Sequence, residues 1–474
     1  MERGHFPLDL LPSWCSLNGV TFSKVSVADI DGRGLGLVAN EDLALAEDND
    51  HSRSPLLTIS NDLILSASGV KEYARQSRDF SQLLDVAGHQ SQRIDILLFL
   101  LAQFVLSSRN YSSRPGLKSP WTQYFNLLPQ TVPIPTLWSE AERNLLRGTS
   151  LEAAVSAKLA ALRVEFDAIR ERTQDLESWN ELLDHDGPIS LHDWTYLDAV
   201  YRSRSLGLPQ SGESMVPCLD LVNHSSPATA YFEQDTNDEV LLLLRKDAKL
   251  KKGDEITIDY GADKSAGEML FSYGFIDANA TTKSVVLPVE AMDDDPLSKA
   301  KLHVFGSSPT LRITVNESGV LEWSSPFIYL MSLNQEDGLT FQILQETDGS
   351  QHLRMFWQDR DVTDEAEDVE KLIRGHEMQQ IFRLRAVTIV LETVQQKLEM
   401  LTSHSVEETS SKTVRVEISQ AASHLRGVER NLFETALQML DDERSRLFED
   451  ESVLAYLGSM EAEHDEGIDG PEGP

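Results

Sequence analysis

The sequence predicts an α+β protein: a β-rich portion interrupted by a helical block and followed by a mostly α-helical C-terminal part. Three observations carry this. Short strand-like runs bounded by turn residues occupy the first 85 positions and return between 215 and 262. Between them, 92–206 shows apolar residues at helical spacing. After 369, two long helical patterns dominate.

In the first part, Gly32-Arg33-Gly34-Leu35-Gly36-Leu37-Val38-Ala39 is a glycine turn feeding an apolar run, and Pro55 to Ser60 has strand character before Asn61-Asp62. The pattern changes at Gln92. Ile94, Leu97, Leu98, Leu101, Phe104 and Val105 recur at helical spacing. Glycine and proline mark a loop from Ser112 to Pro120, and Trp121 to Leu128 is a short aromatic-rich piece. Ser139 before Glu140-Ala141-Glu142 reads as a helix start. Ser150 to Arg172, rich in Ala, Leu, Glu and Arg, reads as a helix. Ser190 to Leu206 reads as another, with Trp194, Leu197, Val200 and Tyr201 on one side.

Strands return at Tyr231-Phe232-Glu233, Glu239 to Arg245 and Glu255 to Tyr260, the last two expected to pair antiparallel through a turn at Gly253-Asp254. Ser284 to Val289 and Leu311 to Val315 are strand-like. Val369 to Thr402 and Val414 to Glu449 are expected as long helices around a polar linker, Ser405 to Lys412. The acidic, Gly- and Pro-containing end, Glu461 to Pro474, is expected to be disordered.

Composition excludes several classes. The chain has 474 residues, enough for two to four domains, and is 41% hydrophobic and 25% charged, as in ordinary soluble proteins. Two cysteines, Cys15 and Cys218, support neither a disulfide framework nor a four-cysteine zinc site. No apolar run approaches the roughly 20 residues that span a bilayer, and the N-terminus lacks an apolar signal core. No membrane partner is expected, and a cytoplasmic or nuclear location is. A formal charge of −35 disfavours nucleic acid and favours a basic protein partner, or serves solubility alone. A monomer is expected.

The chemistry concentrates in four stretches. Gly32 to Gly36 could cradle a phosphate, but it lacks the full Gly-x-Gly-x-x-Gly fingerprint and a following helix, so a plain turn is the alternative. Asp220-Leu221-Val222-Asn223-His224-Ser225 holds an Asn-His pair that alone would be a loop or capping element, and His224 lacks companions at metal-ligand spacing. Gly253-Asp254-Glu255-Ile256-Thr257-Ile258-Asp259-Tyr260-Gly261 ends on a tyrosine that alone would be packing, and Phe271-Ser272-Tyr273-Gly274-Phe275 adds a second.

The last three of these stretches, in this order, resemble the signature of SET-domain protein methyltransferases, and Gly34 to Ala39 matches a turn near the start of that domain. The helical insertion and helical C-terminal part are similar to the Rubisco large-subunit methyltransferase-like group and to fungal ribosomal-protein lysine methyltransferases. The resemblance implies a SET β-fold with a knot-like crossing, interrupted by a helical insertion and followed by a mostly α-helical C-terminal domain. Its expected divisions are 1–91 and 207–280 for the SET domain, 92–206 for the insertion, 281–458 for a substrate-binding domain and 459–474 for the acidic tail.

The resemblance further implies S-adenosyl-L-methionine as cofactor, with Arg33, Gly34, Leu35, Asn223, His224 and Tyr260 contacting it. Tyr260 and Tyr273 would line the channel where a protein lysine accepts the methyl group. Sulfonium methyl transfer is an in-line displacement, so the amine, methyl and sulfur must be aligned at close range. Free lysine has a pKa of about 10.4, and a desolvated channel beside a sulfonium favours its neutral form. A tyrosine, with a pKa of about 10, is a poor base at neutral pH, so Tyr260 is expected to align rather than to abstract a proton. Tyr201-Arg202-Ser203-Arg204-Ser205-Leu206 resembles an Arg-Ser-Arg element of this group, which implies substrate-side roles for Arg204 and Asp220 beside Tyr273. A plain Arg204–Asp220 salt bridge is the alternative.

Two departures stand out. No cysteine cluster follows Phe275, and Asp263 in Gly261-Ala262-Asp263-Lys264-Ser265 stands where asparagine is common in the family. A protein-histidine methyltransferase, a non-catalytic SET-fold binding module and an unrelated helical scaffold are the competing readings.

Overall fold

The computed structural model of the chain describes residues 4, 6–44, 54–108, 114–278, 283–292, 294–316, 318–345, 350–404 and 414–466. It divides into two compact units. The first comprises Met1–Glu140, Ala153–Ala262 and Glu268–Ala280, and the second Ala141–Glu152, Asp263–Gly267 and Thr281–Pro474. The last segment of the second unit begins at Thr281, as expected, but the division cuts into the segments expected at 92–206 and 207–280, because a short piece of the insertion and the start of a later helix group with the C-terminal part.

The chain begins with α1 (Leu11–Leu17), β1 (Val20–Phe22), β2 (Val25–Ile30), β3 (Gly34–Ala39), β4 (Leu43–Ala44) and β5 (Leu57–Ile59). Helices α2 (Ala67–Gln76), α3 (Arg78–Ala87), α4 (Gln92–Ser107), α5 (Pro120–Tyr124), α6 (Glu140–Arg143), α7 (Leu151–Arg172), α8 (Glu177–Leu183) and α9 (Leu191–Arg204) follow. The hairpin β6 (Ser205–Leu208) and β7 (Gly212–Met215) leads to β8 (Asn223–His224), β9 (Ala230–Gln234), β10 (Val240–Leu244), β11 (Lys249–Leu250), β12 (Glu255–Ile258) and α10 (Ala266–Tyr273).

Helices α1, α2 and α3 replace the strands and turns expected in the first part. Their signals are local. Ser66 and Ser77 cap α2 and α3 by accepting from Gly69 N and Phe80 N, and Phe80, Leu83, Leu84 and Ala87 share the buried face of α3. Helix α4 is buried along its whole middle, Ile94 to Leu106, including two polar side chains. Asp95 Oδ1 accepts from His89 N at 2.7 Å, and Gln103 Oε1 accepts from Ser119 Oγ at 3.0 Å, while Gln103 Nε2 is buried without a hydrogen-bond partner.

Two four-stranded sheets carry the first unit, in the orders β1-β5-β10-β9 and β2-β3-β12-β8. The expected β10–β12 hairpin does not form. Between them β11 pairs with β4, so the chain leaves one sheet and enters the other. β12 instead runs antiparallel to β3 and parallel to β8, with Thr257 opposite Asn223 and Ile258 opposite His224. This register joins segments far apart in sequence at one sheet edge.

The second unit contains β13 (Lys283–Pro288), α11 (Ser298–Phe305), β14 (Thr310–Val315), β15 (Leu321–Ser324), α12 (Pro326–Ser332), β16 (Leu339–Gln345), β17 (Gln351–Trp357), β18 (Arg360–Asp361), α13 (Val369–Ile373), α14 (Gln379–Ser403), α15 (Val416–Phe448) and α16 (Glu451–Glu466). Two three-stranded antiparallel sheets, β13-β14-β15 and β16-β17-β18, accompany the helices. Its core includes Leu287, Ile313, Phe327, Val387, Val390 and Phe433. The single helix expected from Val369 is two, because Arg374 is extended and Gly375 N turns to Gln379 Oε1 at 2.7 Å. Helix α16 also runs through 461–466, where disorder was expected, since Glu, Ala and Met favour helix. The linker Ser405 to Lys412 and the end, 467–474, lie outside the described residues. Among the described residues no helix is long and apolar enough to cross a membrane.

The stretch Ala141–Glu152 is tied into this unit by buried charge. Arg415 bonds Glu142 through Nε at 2.8 Å and Nη2 at 2.9 Å, and Arg426 Nη2 donates to Leu401 O at 2.6 Å. Ser150 N and Oγ donate to the Glu429 carboxylate at 3.0 and 2.5 Å. Burial pushes the Glu429 carboxyl up to about 7, against the pull of the Ser150 bonds and of Arg426. The folded form therefore holds this proton more tightly than an unfolded chain, whose glutamates titrate near about 4.3. Its contribution to stability is full below that value and is lost as pH rises toward 7. Glu429→Gln should flatten the pH dependence of the melting temperature between pH 5 and 7. Calorimetric melts at several pH values check this; the same slope in wild type and variant would refute it.

Candidate active site

The site grows from the edge formed by β3, β12 and β8. Gly36 in β3 permits the approach: a Cβ there would fall 2.8 Å from Asn223 Nδ2 and 2.8 Å from Ile30 Cγ1. With the backbone so close, Asn223 Nδ2 donates to Glu255 Oε1 at 2.8 Å and more weakly to Leu35 O at 3.4 Å. Arg33 completes the cluster, with Nη1 2.5 Å from Glu255 Oε2 and Nη2 donating to the His224 carbonyl. Arg33 is partly exposed, its side chain at 38%. Open space lies beside Gly34.

His224 is the joint of the site. Its side chain is buried, and both ring nitrogens are engaged. Tyr260 N donates to Nδ1 at 3.1 Å, and Nε2 lies 3.0 Å from Asp277 Oδ2. A backbone donor at Nδ1 sets the neutral tautomer with hydrogen on Nε2, which then donates to the carboxylate. The imidazole thus links the end of β12 to the chain beyond α10, and is not poised as a base.

Tyr260 lies two residues beyond the end of β12, and its hydroxyl donates to Val222 O at 2.8 Å. Tyr273 closes α10. The two rings lie 4.7 Å apart between centroids, and Phe275 stands 6.3 Å from each. Tyr273 Oη also reaches Tyr260 O at 3.4 Å. Burial pushes both phenols up, with Tyr273 and Asp220 adding to the effect at Tyr260 and Asp259 adding at Tyr273, while Arg204 opposes it at Tyr260. Both therefore remain neutral across the physiological range.

Arg204 and Asp220 lie next to this pair, engaged within the chain. Arg204 Nη1 donates to the Asp220 carbonyl at 2.7 Å and sits 3.5 Å from its Oδ2. Asp220 Oδ1 accepts from the Tyr124 hydroxyl, which itself accepts from Cys218 N at 2.8 Å. Burial raises the Asp220 carboxyl against the opposing charge of Arg204. The two side chains form an ion pair at 3.5 Å within the chain, with the hydrogen bond going to the Asp220 backbone.

The structure brings Arg33, Gly34, Leu35, Asn223, His224 and Tyr260 to one edge, with Tyr273, Arg204 and Asp220 adjoining. Sequence reasoning assigned nothing to Glu255, Asp277 or Tyr124. Glu255 sits inside the stretch that drew attention to Tyr260, but a carboxylate in a strand does not reveal its partner. The chain's two cysteines also meet here: Cys15 and Cys218, 203 positions apart, have sulfurs 3.8 Å apart. Among the described residues no cluster of His, Cys, Asp and Glu could hold a metal ion.

No family model matches the chain. SET domain-containing protein 8 of Schizosaccharomyces pombe is 28% identical, over 72% of this chain and 76% of its own length. The chloroplastic ribulose-1,5 bisphosphate carboxylase/oxygenase large subunit N-methyltransferase of Nicotiana tabacum is 25% identical over 71% of this chain, a match spanning 65% of that enzyme. The [fructose-bisphosphate aldolase]-lysine N-methyltransferase of Arabidopsis thaliana is 26% identical over 62% of this chain and 57% of its own. Among solved structures, the SET domain of LSMT bound to lysine and AdoHcy superimposes with a TM-score of 0.63 at 20% identity, covering 93% of this chain and 92% of that one. Rubisco LSMT bound to AdoMet gives 0.63 at 20% identity, over 98% of this chain and 97% of that one. These superpositions give the chain the fold of the Rubisco LSMT structures, and its sequence is similar to a SET domain-containing protein and to protein-lysine N-methyltransferases.

Proposed function

We propose that this chain is an S-adenosylmethionine-dependent protein-lysine N-methyltransferase. The observation that carries the reading is the tyrosine pair, 4.7 Å apart, joined through His224 to the edge formed by Arg33, Gly36 and Asn223. Neither half explains the other as packing alone. One offers donors around a glycine-lined backbone, and the other offers neutral phenols.

The residues fit the cofactor. Open space beside Gly34, the partly exposed Arg33 guanidinium and the Asn223 amide suit a small molecule with a carboxylate. Arg33, Gly34, Leu35, Asn223 and His224 would hold it. When bound, the cofactor supplies an electrophilic methyl group on a sulfonium. The chain's own part is alignment. The Tyr260 hydroxyl spends its hydrogen on Val222 O, so its oxygen presents lone pairs to an N–H donor. Tyr260, Tyr273 and Phe275 form an aromatic wall for an alkyl stem and favour a cationic product by cation–π attraction. Neutral, raised phenols orient the amine and do not take its proton. Arg204 and Asp220 set the field at Tyr260 and border the substrate side.

The proposed substrate is a lysine in a non-histone protein, with a ribosomal or translation protein favoured. A ribosomal lysine N-methyltransferase of Schizosaccharomyces pombe is 25% identical over 39% of this chain. The formal charge of −35 favours a basic segment over nucleic acid.

Incubation with methyl-labelled S-adenosylmethionine and extract from cells lacking the protein should label a protein band that yields methyl-lysine on hydrolysis. Methylhistidine instead would overturn the lysine assignment, and cofactor binding without any labelled protein would favour the binding-module reading. Tyr260→Phe should lower kcat by about 10²-fold, within the range for a positioned polar group, while cofactor affinity is kept. Asn223→Ala should weaken cofactor binding roughly tenfold, about 1.4 kcal/mol, in calorimetric titration. Unchanged affinity would remove Asn223 from the cofactor site. Transfer should rise with pH as the acceptor amine deprotonates, and show no alkaline fall up to about pH 10, because burial lifts both phenols above that range. A fall between pH 8 and 9 in the rate profile would show that a site group of lower pKa must stay protonated.

A further inference from the structure

We propose that Arg202 is a positioning residue for Tyr273, anchored in the helical insertion and acting through Phe271 to set how many methyl groups the site admits. The proposal rests on the methyl-transfer reading above. Arg202 lies in the last turn of α9. Its Nη1 donates to the Phe271 carbonyl at 2.8 Å, and its guanidinium carbon lies 4.1 Å from the Phe271 ring centroid. Nη2 donates to Thr136 Oγ1 at 2.8 Å and stands 3.5 Å from Asp198 Oδ2.

The anchor is rigid. The Asp198 side chain is 1% exposed and also receives Lys158 Nζ at 2.9 Å and Arg93 Nη2 at 2.6 Å. Arg93 is in turn held by Glu165 at 2.7 Å. Burial opposes charge on Asp198, but Lys158, Arg202 and Arg93 outweigh it and keep the carboxyl below its usual range. Three helices of the insertion, α4, α7 and α9, thus fix one end of Arg202.

The other end meets the last turn of α10, where carbonyls lack intrahelical partners and a cation is favoured. Phe271 is two residues before Tyr273. The chain then turns at Gly274, whose φ is +85° and where a Cβ would fall 2.7 Å from Pro133 Cγ and 2.9 Å from its carbonyl carbon. Pro133 is itself held, its carbonyl accepting from Trp138 Nε1 at 2.9 Å. Tyr273 therefore leaves its helix between two props, the Arg202 fork and Pro133. Only arginine offers a planar fork that serves two acceptors while lying on a ring, so lysine is not equivalent here. Because Tyr273 walls the site beside Tyr260, loosening the fork enlarges the space around the acceptor nitrogen.

Arg202→Met leaves Asp198 with Lys158 and Arg93. It should keep the wild-type cofactor affinity within about twofold, lower kcat by roughly tenfold, as expected of a misplaced contact, and shift the mono-, di- and trimethyl-lysine ratio toward higher methylation by mass spectrometry. Arg202→Lys should recover only part of this. Phe271→Leu should move the product ratio the same way, and the double variant Arg202→Met/Phe271→Leu should lose no more kcat than Arg202→Met alone. A folded Arg202→Met protein with unchanged kcat and product ratio overturns the proposal, as do additive losses in the double variant. If Arg202→Met does not fold, Thr136→Val and Phe271→Leu decide it: an unshifted ratio in both overturns it. Absence of transfer by wild-type protein is seen without any variant; it defeats the methyl-transfer reading and this proposal with it.

Discussion

The structure of the site depends on one buried imidazole. His224 is joined to three other parts of the chain at once: Arg33 reaches its carbonyl, Tyr260 N reaches Nδ1, and Nε2 meets Asp277. Its own backbone pairs parallel with β12. A two-residue strand has little stability of its own, since most of its polar groups need partners from elsewhere. These contacts supply them. They also place Tyr260 within ring contact of His224 and Tyr273, so the aromatic wall inherits its position from the same joint.

The charges around the site follow a consistent rule. The chain as a whole is strongly acidic, yet the cations at and behind the site each have an acidic partner: Arg33 with Glu255, Arg204 with Asp220, and Arg93, Lys158 and Arg202 around Asp198. Removing ions from water costs several kcal/mol each unless geometry and hydrogen bonds offset it. Such groups are therefore poor sources of stability but strong determinants of geometry, because an alternative arrangement would leave a charge unpaired. Asp220 shows the balance at its edge, with its carboxyl raised by burial while Tyr124 and Arg204 hold it in place.

Much of this was legible in the sequence, and the limits are physical. Asn223, His224 and Tyr260 stood out because three short stretches occurred in a familiar order, and the structure gathers them. Helices such as α4, α7, α9 and α15 were legible because apolar spacing and composition are local signals. Strand pairing is not local: β10 and β12 looked like partners by proximity, but register depends on which distant edge each strand meets. Helices α2 and α3 were missed although Ser66 and Ser77 cap them, because short helices in a strand-rich context leave few periods to read. Glu255 and Asp277 were silent for a similar reason, and Arg202 was noticed only as part of the Arg-Ser-Arg element, without a role. A charged residue carries no mark of the partner that folding will assign it, and Cys15 gives no hint of Cys218 two hundred positions away.

The assignment of Ala141–Glu152 to the second unit changes how that unit should be regarded as material. It is not a tail that could be cut off at a linker and purified intact. A fragment starting near Thr281 would leave Arg415 without Glu142 and Glu429 without Ser150, and the remaining piece would carry away Leu145 and Leu146 stripped of their packing. Fragment boundaries for crystallisation, and any swap of this unit between relatives, have to carry all three of its stretches, Ala141–Glu152, Asp263–Gly267 and Thr281–Pro474, and not the last alone.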